Sequence, residues 1–265
     1  MRKISDYSEY RELSAGKKLH NNVFLPSQIK QYIADERLYA IEGEDGFLLL
    51  YNEKDYVEVI SGGQIPDPSF ANRLPDLKLV YHITDSRSNP CTEEIRNAIE
   101  ALGFTLRCSI SEYTAQTQQL SAYEPLPDGY EFSSSCNYGE AVEIWKQNLP
   151  IMEIPHMTRE EFDKAVEEGR FIALIDTVRG KTAAVGFGEP MLKTETFRHL
   201  VVLPEYRKKG LGKVVVARWI QNMKENGRAY GRSWVEDENA PSWKIFVRYG
   251  FSKTDRLSFQ FIKNF

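Results

Sequence analysis

Leu200-Val201-Val202-Leu203-Pro204-Glu205-Tyr206-Arg207-Lys208-Lys209-Gly210-Leu211-Gly212-Lys213 runs from a branched, apolar strand through a proline stop and a basic, glycine-bearing turn into an apolar helix. That helix, Leu211–Glu225, closes at Asn226-Gly227, the kind of pair that ends helices. A helix N-terminus leaves backbone N–H groups unpaired and carries partial positive charge. A diphosphate placed there is therefore hydrogen-bonded and electrostatically favoured. Gly210 and Gly212 lack a Cβ and let the backbone come close, while Arg207, Lys208, Lys209 and Lys213 supply cations.

The flanking sequence alternates helices and strands. Ala141, Ile144, Trp145 and Leu149 recur at helical spacing over Tyr138–Asn148. Thr158 stands three residues before Glu161, a capping-box arrangement, and Phe162, Ala165 and Val166 supply the apolar face of a second helix up to Gly169. Phe171–Asp176 and Lys181–Phe187 read as an antiparallel hairpin around Thr177–Gly180, and Thr196–Leu203 as the strand that Pro204 stops. Beyond the helix at Leu211–Glu225 come a strand over Ala229–Val235, a short helix over Pro241–Tyr249 and a strand over Leu257–Ile262.

The N-terminal half repeats this plan in worn form. Ser27–Ala34 followed by Arg37–Ile41 echoes Thr158–Glu168 followed by Arg170–Leu174. Thr92–Phe104 echoes Asn239–Phe251, each a helix closing on Gly-Phe. Between the strands around Val57–Ile60 and Leu77–Ile83, however, Ser61–Asp76 is rich in Gly, Pro and Asn and reads as a loop without helix or basic turn. Pro125, Pro127 and Gly129 mark a linker at Ser121–Gly129, so the expected domains are 1–122 and 123–265.

A chain of 265 residues accommodates two domains. Its 42% hydrophobic and 27% charged residues suit a packed core and not a disordered chain. The net charge of -4 argues against nucleic acid as partner, so an anion site must draw on local cations. Cys91, Cys108 and Cys136 have neither metal-ligand spacing nor a Cys-x-x-Cys pair and read as reduced and structural. No long uncharged apolar run occurs, and Met1–Tyr10 carries charges where a signal peptide would be apolar. The expectation is a cytoplasmic protein without a membrane partner.

Arg207-Lys208-Lys209-Gly210-Leu211-Gly212 resembles the pyrophosphate loop of the GNAT superfamily of N-acetyltransferases, Arg/Gln-x-x-Gly-x-Gly/Ala. Val201 through Arg207 resembles the strand and turn that precede it, and Asn239 through Phe251 the family's asparagine-led helix ending in Gly-Phe. The resemblance covers 130–265 well and the first half faintly. It implies a tandem GNAT-like α/β fold of the mixed α+β kind, with mostly antiparallel sheets flanked by helices, splayed where Leu200–Val202 parts from Ala229–Val235. It implies acetyl-coenzyme A as cosubstrate. Leu200, Val201 and Val202 would pair with the pantetheine arm, and Lys208, Lys209, Gly210, Leu211, Gly212 and Lys213, with Arg207, would cradle the pyrophosphate. Asn239 and Ser242 would form the other wall, or simply cap their helix. The N–H near Val202 would be the oxyanion donor.

Acetyl transfer needs a neutral amine held against the thioester, a group to take its proton and donors for the oxyanion. The tyrosine that protonates the thiolate in many relatives is Phe246 here, which has no proton to give. Tyr249, three positions on, is the alternative acid, or a packing residue. Glu195 and His199 are the candidate bases, Glu195 also readable as a solvated residue where the strand begins and His199 as a packed or edge residue of that strand. Glu236, Asp237 and Glu238 form an acidic run that would attract a cationic amine or lie solvated in a turn. Trp219, Trp234 and Trp243 read mainly as core, with Trp234 and Trp243 as candidate pocket walls. The expected activity is N-acetylation of a small-molecule or peptide amine, with the N-terminal half as a wall of the acceptor cleft. The alternative is an inactive coenzyme A-binding sensor or scaffold. Acceptor, acyl preference and oligomeric state are not legible in the sequence.

Overall fold

Capping side chains set the starts of five helices. Asp6, Thr92, Asn137, Thr158 and Asn239 each accept from a backbone N–H of the first turn ahead of α1 (Tyr7–Ser14), α3 (Glu93–Ala101), α4 (Tyr138–Asn148), α5 (Arg159–Glu167) and α7 (Ala240–Arg248). Thr158 and Glu161 complete the expected capping box. Two further helices are α2 (Pro26–Ala34) and α6 (Leu211–Glu225). The computed structural model describes residues 1–17, 26–44, 46–63, 68–85, 91–133, 136–155 and 157–265.

The chain divides into two units, Met1–Ile110 with Asp255–Phe265, and Ser111–Thr254. The division falls earlier than the boundary expected at 122/123, and the last eleven residues belong with the first unit. Proline and glycine in Ser121–Gly129 suggested a linker, yet Ala122 and Leu120 are tied to the second unit through Gln221 and Lys224 of α6.

In the first unit the strands β1 (Arg2–Lys3), β2 (Leu38–Glu42), β3 (Gly46–Asn52), β4 (Val57–Gly63) and β5 (Leu79–Asp85) lie in that order, followed by the end of β12 (Ser252–Lys263). Their pairings are antiparallel except β4 with β5. Phe47–Tyr51 is buried without interruption because both faces are covered. Leu49 and Ile60 pack with Ile29 and Leu13 of the first two helices, and Val59, Tyr81 and Phe261 with Ile95 and Ile99 of α3. The expected loop Ser61–Asp76 is corrected in two places. Ser61–Gly63 continues β4, and Pro68–Arg73 forms a 3-10 helix that buries Phe70; residues 64–67 lie outside the described residues.

In the second unit the order is the end of β6 (Thr105–Gln116), then β11 (Tyr230–Glu236), β10 (Thr194–Val202), β9 (Lys181–Met191), β8 (Phe171–Asp176) and β7 (Tyr130–Phe132). Here β10 and β11 are parallel, and β10/β9, β9/β8 and β8/β7 antiparallel. Along β8 the alternation is clean. Phe171, Ala173 and Ile175 meet Trp145 and Phe162 of α4 and α5, whereas Ile172 and Leu174 meet the α6 side. β9 and β12 run longer than expected, because Gly188–Met191 and Ser252–Arg256 lack the apolar pattern that marks a strand.

Candidate functional site

β10 holds its two neighbours over different lengths. Its pairing with β11 ends at Phe197↔Ser233, where Ser233 Oγ donates to the Phe197 carbonyl at 3.1 Å, but its pairing with β9 continues to Val202↔Ala184. The last residues of β10 thus leave a parallel neighbour without losing the antiparallel one.

A bulge occupies the point of departure. Arg198 faces Phe187 and Val201 faces Val185, so His199 and Leu200 stand together opposite Gly186. His199 takes φ +57, a conformation that costs a non-glycine residue on the order of 1 kcal/mol. The extra residue shifts the side-chain alternation by one. Phe197, Leu200 and Val202 pack on the α6 side, and Val201 enters the cluster of Trp145 and Phe162. The Trp145 indole N–H donates to the His199 carbonyl at 3.2 Å, with the two rings edge-on at 6.1 Å.

The chain then makes a 3-10 turn at Pro204–Tyr206 and enters α6 through Gly210, at φ +79 and with no side-chain cap. Lys213 N–H closes onto the Gly210 carbonyl at 3.0 Å; the Leu211 and Gly212 amides, at the first positions of the helix, have no intrahelical acceptor. The two glycines serve different needs. Gly210 supplies a left-handed backbone, whereas a Cβ on Gly212 would stand 3.2 Å from Ile245 Cδ1 and 3.6 Å from Val202 Cγ2, which sets how closely α6 approaches β10 and α7.

The cations are arranged unequally around this turn. Arg207 Nε donates to the Val202 carbonyl at 3.1 Å, Lys208 is exposed at φ +64, and Lys209 Nζ lies 5.2 Å over the Tyr206 ring and 3.4 Å from Tyr130 OH. Lys213 Nζ is 3.7 Å from Glu124, which also takes Arg248 at 2.9 Å.

The acetyltransferase (GNAT) family model matches residues 139–251. That segment is a GNAT domain. Solved structures of the same fold extend over the N-terminal half as well. A GCN5-related N-acetyltransferase from Sphaerobacter thermophilus, 10% identical, covers 95% of this chain and 96% of its own with a TM-score of 0.59. Another from Kribbella flavida, 15% identical, covers 89% and 93% at 0.57. A tandem GNAT protein from the clavulanic acid biosynthesis pathway, 15% identical, covers 82% and 78% at 0.55. At such identities the likeness is one of fold. No curated protein matches the sequence.

Within the GNAT domain the candidate acid and bases separate. Glu195 faces the core under α6, fully buried, accepting from Trp219 Nε1 at 2.8 Å and 3.4 Å from Arg228 Nε. Burial raises its pKa, opposed by Trp219 and Arg228. A carboxylate so enclosed meets no substrate amine, so the geometry removes Glu195 from the candidate bases. Its place at the start of a strand suggested exposure; the odd-numbered phase it shares with Phe197 turns it inward. His199 is half-buried at the bulge.

Tyr249 is buried at the end of α7, and its hydroxyl donates to the Lys213 carbonyl at 3.0 Å. Burial and Glu124 raise its pKa. Phe246 is packed edge-on against Phe251 at 5.4 Å and Phe197 at 6.3 Å. Asn239 Oδ1 accepts from Ser242 N–H at 3.2 Å, the capping contact. Asp237, within the acidic run, binds Lys253 at 3.0 Å and accepts from Ser111 Oγ. Trp219 is core, whereas Trp234 and Trp243 are half-buried.

Sequence reasoning missed a polar row beside the departure point. Arg232 donates to Thr196 Oγ1 at 2.9 Å and lies 3.8 Å from Glu112, which accepts from Thr254 Oγ1 at 3.0 Å. Glu112 comes from β6, far away in sequence, and no local signal links the two. The N-terminal unit repeats the strand departure, since β4 leaves β5 after Val59↔Tyr81 yet follows β3 to Gly63↔Gly46. There Ser61 Oγ and Tyr81 OH close to 2.5 Å.

Buried thiols are held protonated, Cys91 pushed up to about 11 and Cys136 to about 12. Among the described residues, no cluster of metal-ligating side chains occurs, and no helix is long and apolar enough to cross a membrane.

Proposed function

We propose that the GNAT domain transfers an acetyl group from acetyl-coenzyme A to a primary amine of a small molecule or peptide. The observation that carries this reading is the passage from a strand that leaves its parallel neighbour into a helix capped by a left-handed glycine alone. The Leu211 and Gly212 amides, with Arg207, Lys208 and Lys209 beside them, suit a diphosphate. The freed edge of Leu200–Val202 offers main-chain groups to an amide-bearing arm, which Asn239 and Ser242, at the start of α7, would approach from the other side. In the reaction the amine nitrogen bonds to the thioester carbon, the C–S bond breaks, and the departing thiolate ends protonated. His199 is the remaining side-chain candidate to take the amine proton, directly or through water. Water serves as proton donor to the thiolate, a good leaving group near neutral pH.

Phe246 favours a second reading, a coenzyme A-binding sensor or scaffold, because the ring offers no proton and the Tyr249 hydroxyl is already engaged. Calorimetric titration with coenzyme A tests the feature both readings share, and no saturation at millimolar ligand overturns both. Release of free thiol with a panel of polyamines, amino acids and aminoglycosides separates them: transfer requires turnover with at least one amine, and binding without turnover favours the sensor.

A further inference from the structure

We infer that Trp145 is a positioning residue for the acyl group, acting through the peptide bond between His199 and Leu200. The inference rests on the transferase reading above and assigns a role to a residue of α4 that has no place in the phosphate turn.

The bulge turns the His199 carbonyl out of the sheet. A strand carbonyl ordinarily points along the sheet toward a neighbouring strand, but the His199 carbonyl is taken by an indole N–H from the helical layer. Trp145 is fully buried, and its ring is fixed at a right angle to Phe171, with centroids 5.9 Å apart. The donor cannot easily swing away, since Phe171 and the rest of the α4 cluster hold it in one orientation. Every described peptide bond is trans, so the Leu200 N–H points opposite to the His199 carbonyl and away from Trp145. That is the side on which Leu200 and Val202 meet Gly212, where α6 presents its first amides.

An N–H on that face donates to the carbonyl oxygen of an acyl group held along the freed edge of β10, a pantetheine arm away from a diphosphate on α6, and donates more strongly as charge grows on that oxygen. Gly186, opposite the bulge, leaves the Phe197 ring its place; a Cβ there would come within 2.4 Å of it. The left-handed conformation of His199 and the indole bond thus define one peptide orientation between them.

The test needs no acceptor. Isotope-edited infrared spectroscopy of carbonyl-labelled acetyl-coenzyme A reads the hydrogen bond on the thioester oxygen directly. Trp145→Phe is expected to raise the bound carbonyl frequency relative to wild type. It should also weaken acetyl-coenzyme A about three- to tenfold while coenzyme A stays within about twofold. An unmoved band with both affinities unchanged overturns the inference. Should Trp145→Phe not fold, replacement of Trp145 by benzothienylalanine keeps the ring shape, removes only the N–H and is read by the same criteria. Unfolding on loss of that single N–H would assign Trp145 to stability alone and also overturn the proposal. Failure of the wild-type protein to bind coenzyme A sinks the transferase reading itself, a separate result.

Discussion

The Tyr249 hydroxyl, at the end of α7, donates to the backbone carbonyl of Lys213 in the first turn of α6 at 3.0 Å. A tyrosine that sequence position offers as an acid is thereby a strut between the end of α7 and the glycine-bearing turn that opens α6. Tyr249→Phe is expected to cost about 1 kcal/mol of stability and to weaken coenzyme A binding a few-fold. The pH dependence of turnover should not change. Urea unfolding, calorimetry and a pH–rate profile check the three parts, and a lost alkaline limb would restore Tyr249 as the acid.

Phe246→Tyr would place a hydroxyl among Phe197, Phe251 and the aliphatic core. A buried hydroxyl without a partner costs about 1–3 kcal/mol. The expected outcome is a lowered Tm with no gain in thiol release; faster turnover in the variant would show that the ring position reaches the reacting sulfur.

His199→Asn separates chemistry from backbone strain, since asparagine also tolerates a left-handed backbone. Stability should stay within about 1 kcal/mol, while turnover falls by about a hundredfold if the imidazole carries the amine proton. His199→Val, by contrast, should be destabilised by about 1–3 kcal/mol because a β-branched residue resists φ +57. Equal turnover in His199→Asn and wild type would leave water as the base.

Glu195 gives a pH prediction with a fixed sign. Its folded-state pKa is raised by burial from 4.5, so the folded state holds its proton longer than the unfolded chain. Its contribution is present in full below the ordinary carboxylate range and declines as pH rises through the raised value. Glu195→Gln should therefore match wild type at low pH and gain in relative Tm toward neutrality. A relative Tm that falls over that range would mean that Arg228 outweighs burial.

Much of the fold was written locally. Thr158 with Glu161, and Asn226-Gly227 after an apolar run, mark helix ends by short-range chemistry, and α4 and α6 lie where spacing places them. The glycine-bearing turn that opens α6 was legible for the same reason. The bulge was not, because Arg198-His199-Leu200 contains no glycine to announce it, and its trace is only the odd interval from Phe197 to Leu200 on one face. The facing of Glu195 depended on which phase β10 adopts against α6, and Glu112 reaches Arg232 through pairing with no local signature.

The membership of Asp255–Phe265 in the first unit has a consequence for biosynthesis. β5 pairs with Leu257–Lys263, and Phe261 is fully buried beside Ile95 and Ile99. During synthesis the strands up to Asp85 wait with an open edge and an unfilled core until Asp255–Phe265 emerges, so this unit closes late and not by growth from its N-terminal part alone.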